Sequence, residues 1–242
     1  MRDYNAEIVS KKRSRRLRAV LILSVLTFLI FGGAVFYVVF FTKLLFFKEI
    51  KIQGLHNVTE GELFFTHPYL FQSINISHPL IKSWSVKKDF VHRILFVDAK
   101  EREPFAIWCI KHEATESSCF WIDDEGVIFA SAPNTEGSLV RSVEDLSGRS
   151  LKPGDFILKE PLRKNLFNAF AVLDSAGIEA LKYELGPLEN EEITVFVKEG
   201  PKIYFSLRFN PSFAADPIKS LVPKFATLSY IDLRSENRVF YK

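Results

Sequence analysis

Residues 19–41 read AVLILSVLTFLIFGGAVFYVVFF, 23 positions without a charged side chain. A helix rises 1.5 Å per residue, so about 20 apolar residues cross the ~30 Å hydrocarbon layer of a bilayer. The run is long enough to span with some tilt. A cleaved signal peptide has a shorter apolar core and a small-residue cleavage site. Here Thr42-Lys43-Leu44-Leu45-Phe46-Phe47 comes next, with no small-x-small site. The stretch reads as one uncleaved transmembrane helix, and it partitions the rest of the chain.

On its N-terminal side, residues 1–18 hold Arg2, Lys11, Lys12, Arg13, Arg15, Arg16 and Arg18 against Asp3 and Glu7, a net +5. The whole chain is only +3, so everything after the tail carries −2. A nucleic-acid surface on the large part is therefore not supported. The basic tail is a topology and membrane-surface signal. The positive-inside bias places it in the cytoplasm and exports the chain beyond residue 42. Of 242 residues, roughly 200 remain for folding, which at about 100–150 per domain allows one or two small domains.

On the C-terminal side, FKEIKIQ (residues 47–53) puts Ile50 and Ile52 on one strand face, and Gly54 ends it. Thr59 and Glu62 have the capping-box spacing, which predicts a short helix from Glu60 to about Thr66. Ser77 with Pro79 two residues on predicts a second short helix over 79–83. Trp84, Val86 and Phe90 then share a strand face, and RILFVDAK (residues 93–100) is another strand. A β-α-α-β-β order over 42–101 buries its apolar sides economically as a small mixed sheet with helices on one face.

Beyond Glu101 the pattern turns mostly β. Residues 105–110 and 120–123 read as hairpin arms, and Asp124-Glu125-Gly126 as a turn before Val127-Ile128-Phe129. Leu162, Leu166, Phe170 and Leu173 line a helix between Pro161 and Ala176, capped by Gly177. Strands at 193–198 and 202–209 flank Glu199-Gly200-Pro201, and a short helix starts at Asp216-Pro217, limited by Pro223. Residues 228–233 and 238–241 close the chain as strands. The expectation is an α+β protein: tail 1–18, membrane helix 19–41, small domain 42–101, and a mostly antiparallel β domain with two helices over 102–242.

The sequence carries no recognisable catalytic constellation. The five His are scattered, with no HExxH, no G-x-S-x-G and no phosphate-cradling Gly loop. Asp123-Asp124-Glu125 runs straight into Gly126, which favours a hairpin turn over a cation site. Two cysteines cannot make a four-ligand zinc site. Cys109 and Cys119 fall on the hairpin arms, and an exported compartment can be oxidising. Two readings stand: a disulfide, or a pair of reduced, half-buried thiols.

Several pieces in order carry a family resemblance. They are Phe47-x-x-Ile50-x-Ile52-x-Gly54 with Val58-Thr59, then Trp84-Ser85-Val86-Lys87-Lys88 and Ile94–Val97. Next come Glu101-Arg102-Glu103-Pro104-Phe105-Ala106-Ile107-Trp108, Trp121-Ile122-Asp123-Asp124-Glu125-Gly126-Val127-Ile128-Phe129, and Ile231-Asp232-Leu233-Arg234. Together with the anchor they resemble the FtsQ/DivIB cell-division proteins, and the unit after the membrane helix looks like their POTRA domain. The resemblance implies a non-enzymatic subunit of the bacterial divisome in the cytoplasmic membrane at the division septum. It implies no cofactor, metal, nucleic acid or small-molecule substrate. Its partners would be FtsB/DivIC-type and FtsL-type bitopic division proteins. The partner-binding segment would be the last strands: Ile231, Asp232, Leu233, Arg234, Ser235, Glu236, Asn237, Arg238, Val239, Phe240 and Tyr241. Because this segment ends the chain, its outer edge is expected to lack a covering strand and to accept one from a partner. Two rivals remain. A POTRA-bearing export or envelope-assembly factor usually shows several repeats or a barrel, and an anchored cell-wall enzyme would need a nucleophile–base pair or metal cluster.

Overall fold

The computed structural model describes residues 20–38, 45–63, 68–111, 117–135 and 140–242. The basic tail lies outside these residues, as do the expected ends of the membrane helix at 19 and 39–41 and the last turn of the first short helix at 64–66.

Val20–Val38 forms α1, a helix long and apolar enough to cross a membrane. Its 19 residues span about 28 Å at 1.5 Å each. Its large side chains are bare on every side, Phe28 at 78% and Phe31 at 71% exposure. Ser24 Oγ donates to Leu21 O and Thr27 Oγ1 to Ser24 O, each at 2.9 Å. Those hydroxyls are therefore satisfied inside the helix, as a lipid-facing helix requires.

The chain forms two compact units, one of residues 1–53, 60–75 and 85–97, the other of 54–59, 76–84 and 98–242. A three-stranded sheet has the order β1-β3-β2, from Glu49–Gln53 (β1), Ile81–Asp89 (β2) and Ile94–Glu101 (β3). The helix after Thr59 is present as α2, Glu60–Leu63. The helix expected over 79–83 is not: His78 O accepts Ile81 N–H at 2.9 Å, closing a single turn, and β2 begins at Ile81. Leu80 O instead accepts Arg102 N–H at 2.8 Å, so the backbone here is engaged by a distant partner and not by a following helical turn. Ile81 is buried at 6% exposure as the strand's first residue.

In the first unit Phe47, Leu70, Leu95 and Val97 are buried. Phe47 N–H donates to Pro68 O at 3.1 Å and Leu70 N–H to Leu45 O at 2.8 Å, tying 45–47 to 68–70. Lys88 Nζ donates to Gln72 O at 2.5 Å.

The second unit explains two of the motifs. Gly54 has φ +82°, and a Cβ there would lie 2.1 Å from Ala99 O, so only glycine fits. The Glu101 carboxylate closes the same turn. Oε1 accepts the N–H groups of His56, Asn57 and Val58 at 2.9, 2.8 and 3.1 Å, and Oε2 accepts Asn57 Nδ2 at 2.8 Å. Burial pushes the Glu101 carboxyl up, but these bonds outweigh it and hold it below its ordinary value.

The large sheet has nine strands in the order β12-β11-β10-β9-β8-β7-β4-β5-β6. They are β4 Ala106–Lys111, β5 Ser117–Ile122, β6 Ile128–Ser131, β7 Ser142–Asp145, β8 Ala180–Leu185, β9 Glu192–Val197, β10 Lys202–Ser206, β11 Tyr230–Leu233 and β12 Phe240–Tyr241. The sheet is mixed, with β4–β7, β7–β8 and β10–β11 parallel and the other neighbours antiparallel. Two of the parallel pairs need crossovers, supplied by α3 (Leu162–Ser175) and α4 (Ala215–Leu221). β7 and β10 run the same way and both step toward β12, so right-handed crossovers put both helices on one face. Leu166, Phe170 and Leu173 of α3 and Ile218 and Leu221 of α4 accordingly share one core with Trp108, Val143, Tyr183, Val195, Phe205, Ile231 and Leu233.

Trp108, fully buried at the centre, donates its Nε1 proton to Asp145 Oδ2 at 3.0 Å. Asp145 also accepts Ser147 N–H at 2.9 Å and pairs with Arg149 at 2.6 Å. On the other face Ile107, Cys109 and Cys119 make a smaller cluster with Trp121, Ala132 and Val140 packed on it.

Candidate functional site

The segment 231–241 lies at one end of the nine-stranded sheet. Ile231 and Leu233 are fully buried, while Asp232 and Arg234 alternate to the outside, the period of a half-buried strand. β11 lies parallel to β10 in the register Ile203–Ile231, Tyr204–Asp232 and Phe205–Leu233. Arg238 N–H donates to Ser235 O at 3.2 Å, closing a tight turn in which Asn237 takes φ +58°. Asn tolerates that left-handed conformation better than most residues. The chain then returns antiparallel as β12, with Ile231 opposite Tyr241 and Asp232 opposite Phe240.

The hydrogen-bond phase decides which groups face out. Tyr230 and Lys242 exchange both bonds, Lys242 N–H to Tyr230 O at 3.2 Å and Tyr230 N–H to Lys242 O at 3.3 Å. In an antiparallel ladder the next pair, Ile231–Tyr241, is then the non-bonded one. The N–H and C=O of Tyr241 therefore point away from β11, and Val239, two residues earlier, shares that phase. Among the described residues no strand covers this side. The side chains agree: Phe240 is 49% and Tyr241 55% exposed, and the Glu236 and Arg238 side chains have no ion-pair partner among the described residues.

Arg234 is committed to its own sheet. Its Nε and Nη2 donate to Asp232 Oδ1 and Oδ2 at 2.9 and 2.7 Å, and its Nη1 donates to Glu192 Oε2 at 3.1 Å. Its guanidinium sits over the Tyr204 ring at 5.1 Å. The Arg234 hydrogen bonds hold the Asp232 carboxyl below its ordinary value, and Asp232 and Glu192 raise the guanidinium in return. Arg234 thus braces the face beside the edge, leaving Glu236 and Arg238 as the charges a neighbouring strand would meet. Glu192 and Tyr204 have no signal in the sequence, because they reach Arg234 only through strand order, which local pattern does not carry.

At the opposite end of the sheet the chain itself covers the start of β6. Ile128 N–H donates to Asp155 O at 2.9 Å, Gly154 N–H to Ile128 O at 2.7 Å, and Ile157 N–H to Gly126 O at 2.9 Å. The acidic turn beside it is structural. Asp123, fully buried, accepts the N–H groups of Glu125 and Val127 at 3.0 and 2.8 Å and pairs with Arg102. Among the described residues, no three His, Cys, Asp or Glu side chains converge on a position for a metal ion. Cys109 and Cys119 are directly opposite across the β4–β5 hairpin, with Cα atoms 4.0 Å apart and their sulfurs bonded.

No protein-family model matches the chain, and a search among curated proteins finds no match.

Proposed function

We propose that this chain is a bitopic division protein of the FtsQ/DivIB type. α1 anchors it in the cytoplasmic membrane with the basic tail inside, and its exported part, a POTRA-type module over 42–101 and a β domain over 102–242, binds other bitopic division proteins. It is non-enzymatic. It recruits FtsB/DivIC-type and FtsL-type partners at the division septum by strand addition to β12. The single observation that carries the reading is the open edge at β12, where outward backbone groups lie beside the exposed Phe240 and Tyr241. An edge of that kind is a template for an added strand.

The motif positions support the same reading from a second side. Gly54, Glu101, Trp108, Asp123 and Gly126, which carry much of the resemblance, each have a defined structural role. The test is a membrane pull-down of the full chain with mass spectrometry of the recovered proteins. Division proteins of the bitopic class are expected. Recovery of export or outer-membrane assembly machinery instead would favour the rival role and overturn this one.

A further inference from the structure

The first unit carries a row of aromatic rings that its own core does not use. Phe46 packs edge-on to Tyr69 at 5.7 Å, Tyr69 to Phe71 at 5.7 Å, and Phe71 stacks on Phe90 at 6.1 Å. The row is built, not splayed. The Phe46–Tyr69 bridge and the Lys88 bond to Gln72 O fix the backbone beneath it. Yet Phe71 is 70%, Phe90 53% and the adjoining Val91 87% exposed. Contiguous exposed aromatics mark a surface that something covers.

Chain length identifies the occupant. Phe46 is eight residues beyond Val38, the last described residue of α1. Even fully extended, at ~3.3–3.6 Å per residue, that stretch reaches under about 30 Å, so the row is tethered close to any bilayer that α1 crosses. Aromatic rings favour the headgroup level, where an apolar body meets a polar rim. The exposed Lys48 on the same unit suits the anionic phosphates found there.

We propose that the Phe46–Tyr69–Phe71–Phe90 row, with Val91, is a membrane-interface docking surface that seats the first unit on the outer leaflet. The proposal rests on α1 being the membrane anchor. Docking would fix the orientation in which the first unit is presented.

The test uses the full chain reconstituted in phosphatidylethanolamine/phosphatidylglycerol vesicles, with no other protein present. Phe71→Cys carries an environment-sensitive fluorophore, and Lys87→Cys in a second sample serves as the polar comparison on the same unit. Carbonate extraction first establishes whether the chain is integral. The expected result is an integral protein whose label at position 71 is quenched by iodide roughly threefold less than the label at position 87, with a blue-shifted emission. An integral protein with full iodide access at position 71 overturns the docking surface and leaves the anchor standing. A protein released by carbonate overturns the anchor and the docking surface together. Shielding at position 71 only in native membranes, and not in pure lipid, assigns the row to a protein partner and also overturns the proposal.

Discussion

The two ends of the nine-stranded sheet are treated in opposite ways. At the β6 end, residues 154–157 lay their backbone against Gly126 and Ile128, and Asp123 ties the preceding turn to Arg102. At the β12 end the strand is two residues long, no strand among the described residues lies beside its outer N–H and C=O groups, and two aromatic side chains stand exposed. Proteins blunt sheet edges because a bare one recruits other chains. With one end covered in part by the chain's own backbone and the other bare among the described residues, the proposed function would concentrate recruitment at the β12 end. The charged Glu236 and Arg238 flank that place, where they would admit a complementary strand and discourage others.

The contrast makes graded predictions. Asp123→Ala strikes the closed end. It strips two backbone N–H groups of their acceptor and leaves the largely buried Arg102 with only the more exposed Glu125, at 3.7 Å, as a counter-ion. Breaking a buried pair by removing one partner costs about 3–5 kcal/mol. Chemical denaturation of the full chain in detergent should show that loss; a change within ~0.5 kcal/mol would mean the closed end contributes little.

Gly126→Ala comes next. Gly126 has φ +78°, and a Cβ would meet Arg163 Cδ at 2.8 Å and Phe167 at 3.1 Å. Because the Arg163 side chain can give way, the backbone conformation dominates, and a loss of about 1–3 kcal/mol is expected in the same assay. Partner affinity should be unaffected at temperatures where the variant is folded.

Asp232→Asn has the smallest effect. The Asp232–Arg234 pair is partly exposed, with side chains at 22% and 42%, so solvent screening limits it to about 1 kcal/mol or less. The sign with pH comes from the depressed carboxyl. Its contribution is present above the unfolded value of about 3.9 and is lost as pH falls through the lower folded value. The stability difference between wild type and Asp232→Asn should therefore shrink below about pH 4 and stay flat from pH 5 to 8. A difference that grows in acid would assign the depression to another group.

Local chemistry made much of this legible in advance. The β1 strand ends at Gly54, the β4–β5 arms flank their loop, α3 shows its apolar stripe, and Ile231 and Leu233 alternate with Asp232 and Arg234. Each can be read from neighbours in sequence. What escaped was non-local or atypical. β7 reads Ser-Val-Glu-Asp, and its Asp145 is buried only because Trp108 and Arg149 satisfy it. β8 loses its alternation at an irregularity between Ala180 and Lys182. Without those two strands, two of the three parallel pairs of the sheet, β4–β7 and β7–β8, have no sequence signal. The helix expected at 79–83 yielded to strand for a similar reason: Arg102 N–H bonds Leu80 O at 2.8 Å, a partner 22 residues away. At the open edge, the segment was legible but its bracing by Glu192 and Tyr204 was not, since register across strands has no local signature.

On the proposed function, β12 receives a partner strand through its outward backbone. Val239→Pro removes one donor in the outward phase while leaving the Tyr230–Lys242 bonds to β11 in place. The most direct measurement is the affinity of the full-length variant, in detergent or nanodiscs, for an FtsB/DivIC-type exported segment, alongside its melting temperature. A fall in affinity of tenfold or more, about 1.4 kcal/mol, with a melting temperature within ~2 °C of wild type is the predicted result. Unchanged affinity in an equally stable variant would contradict strand addition at this edge.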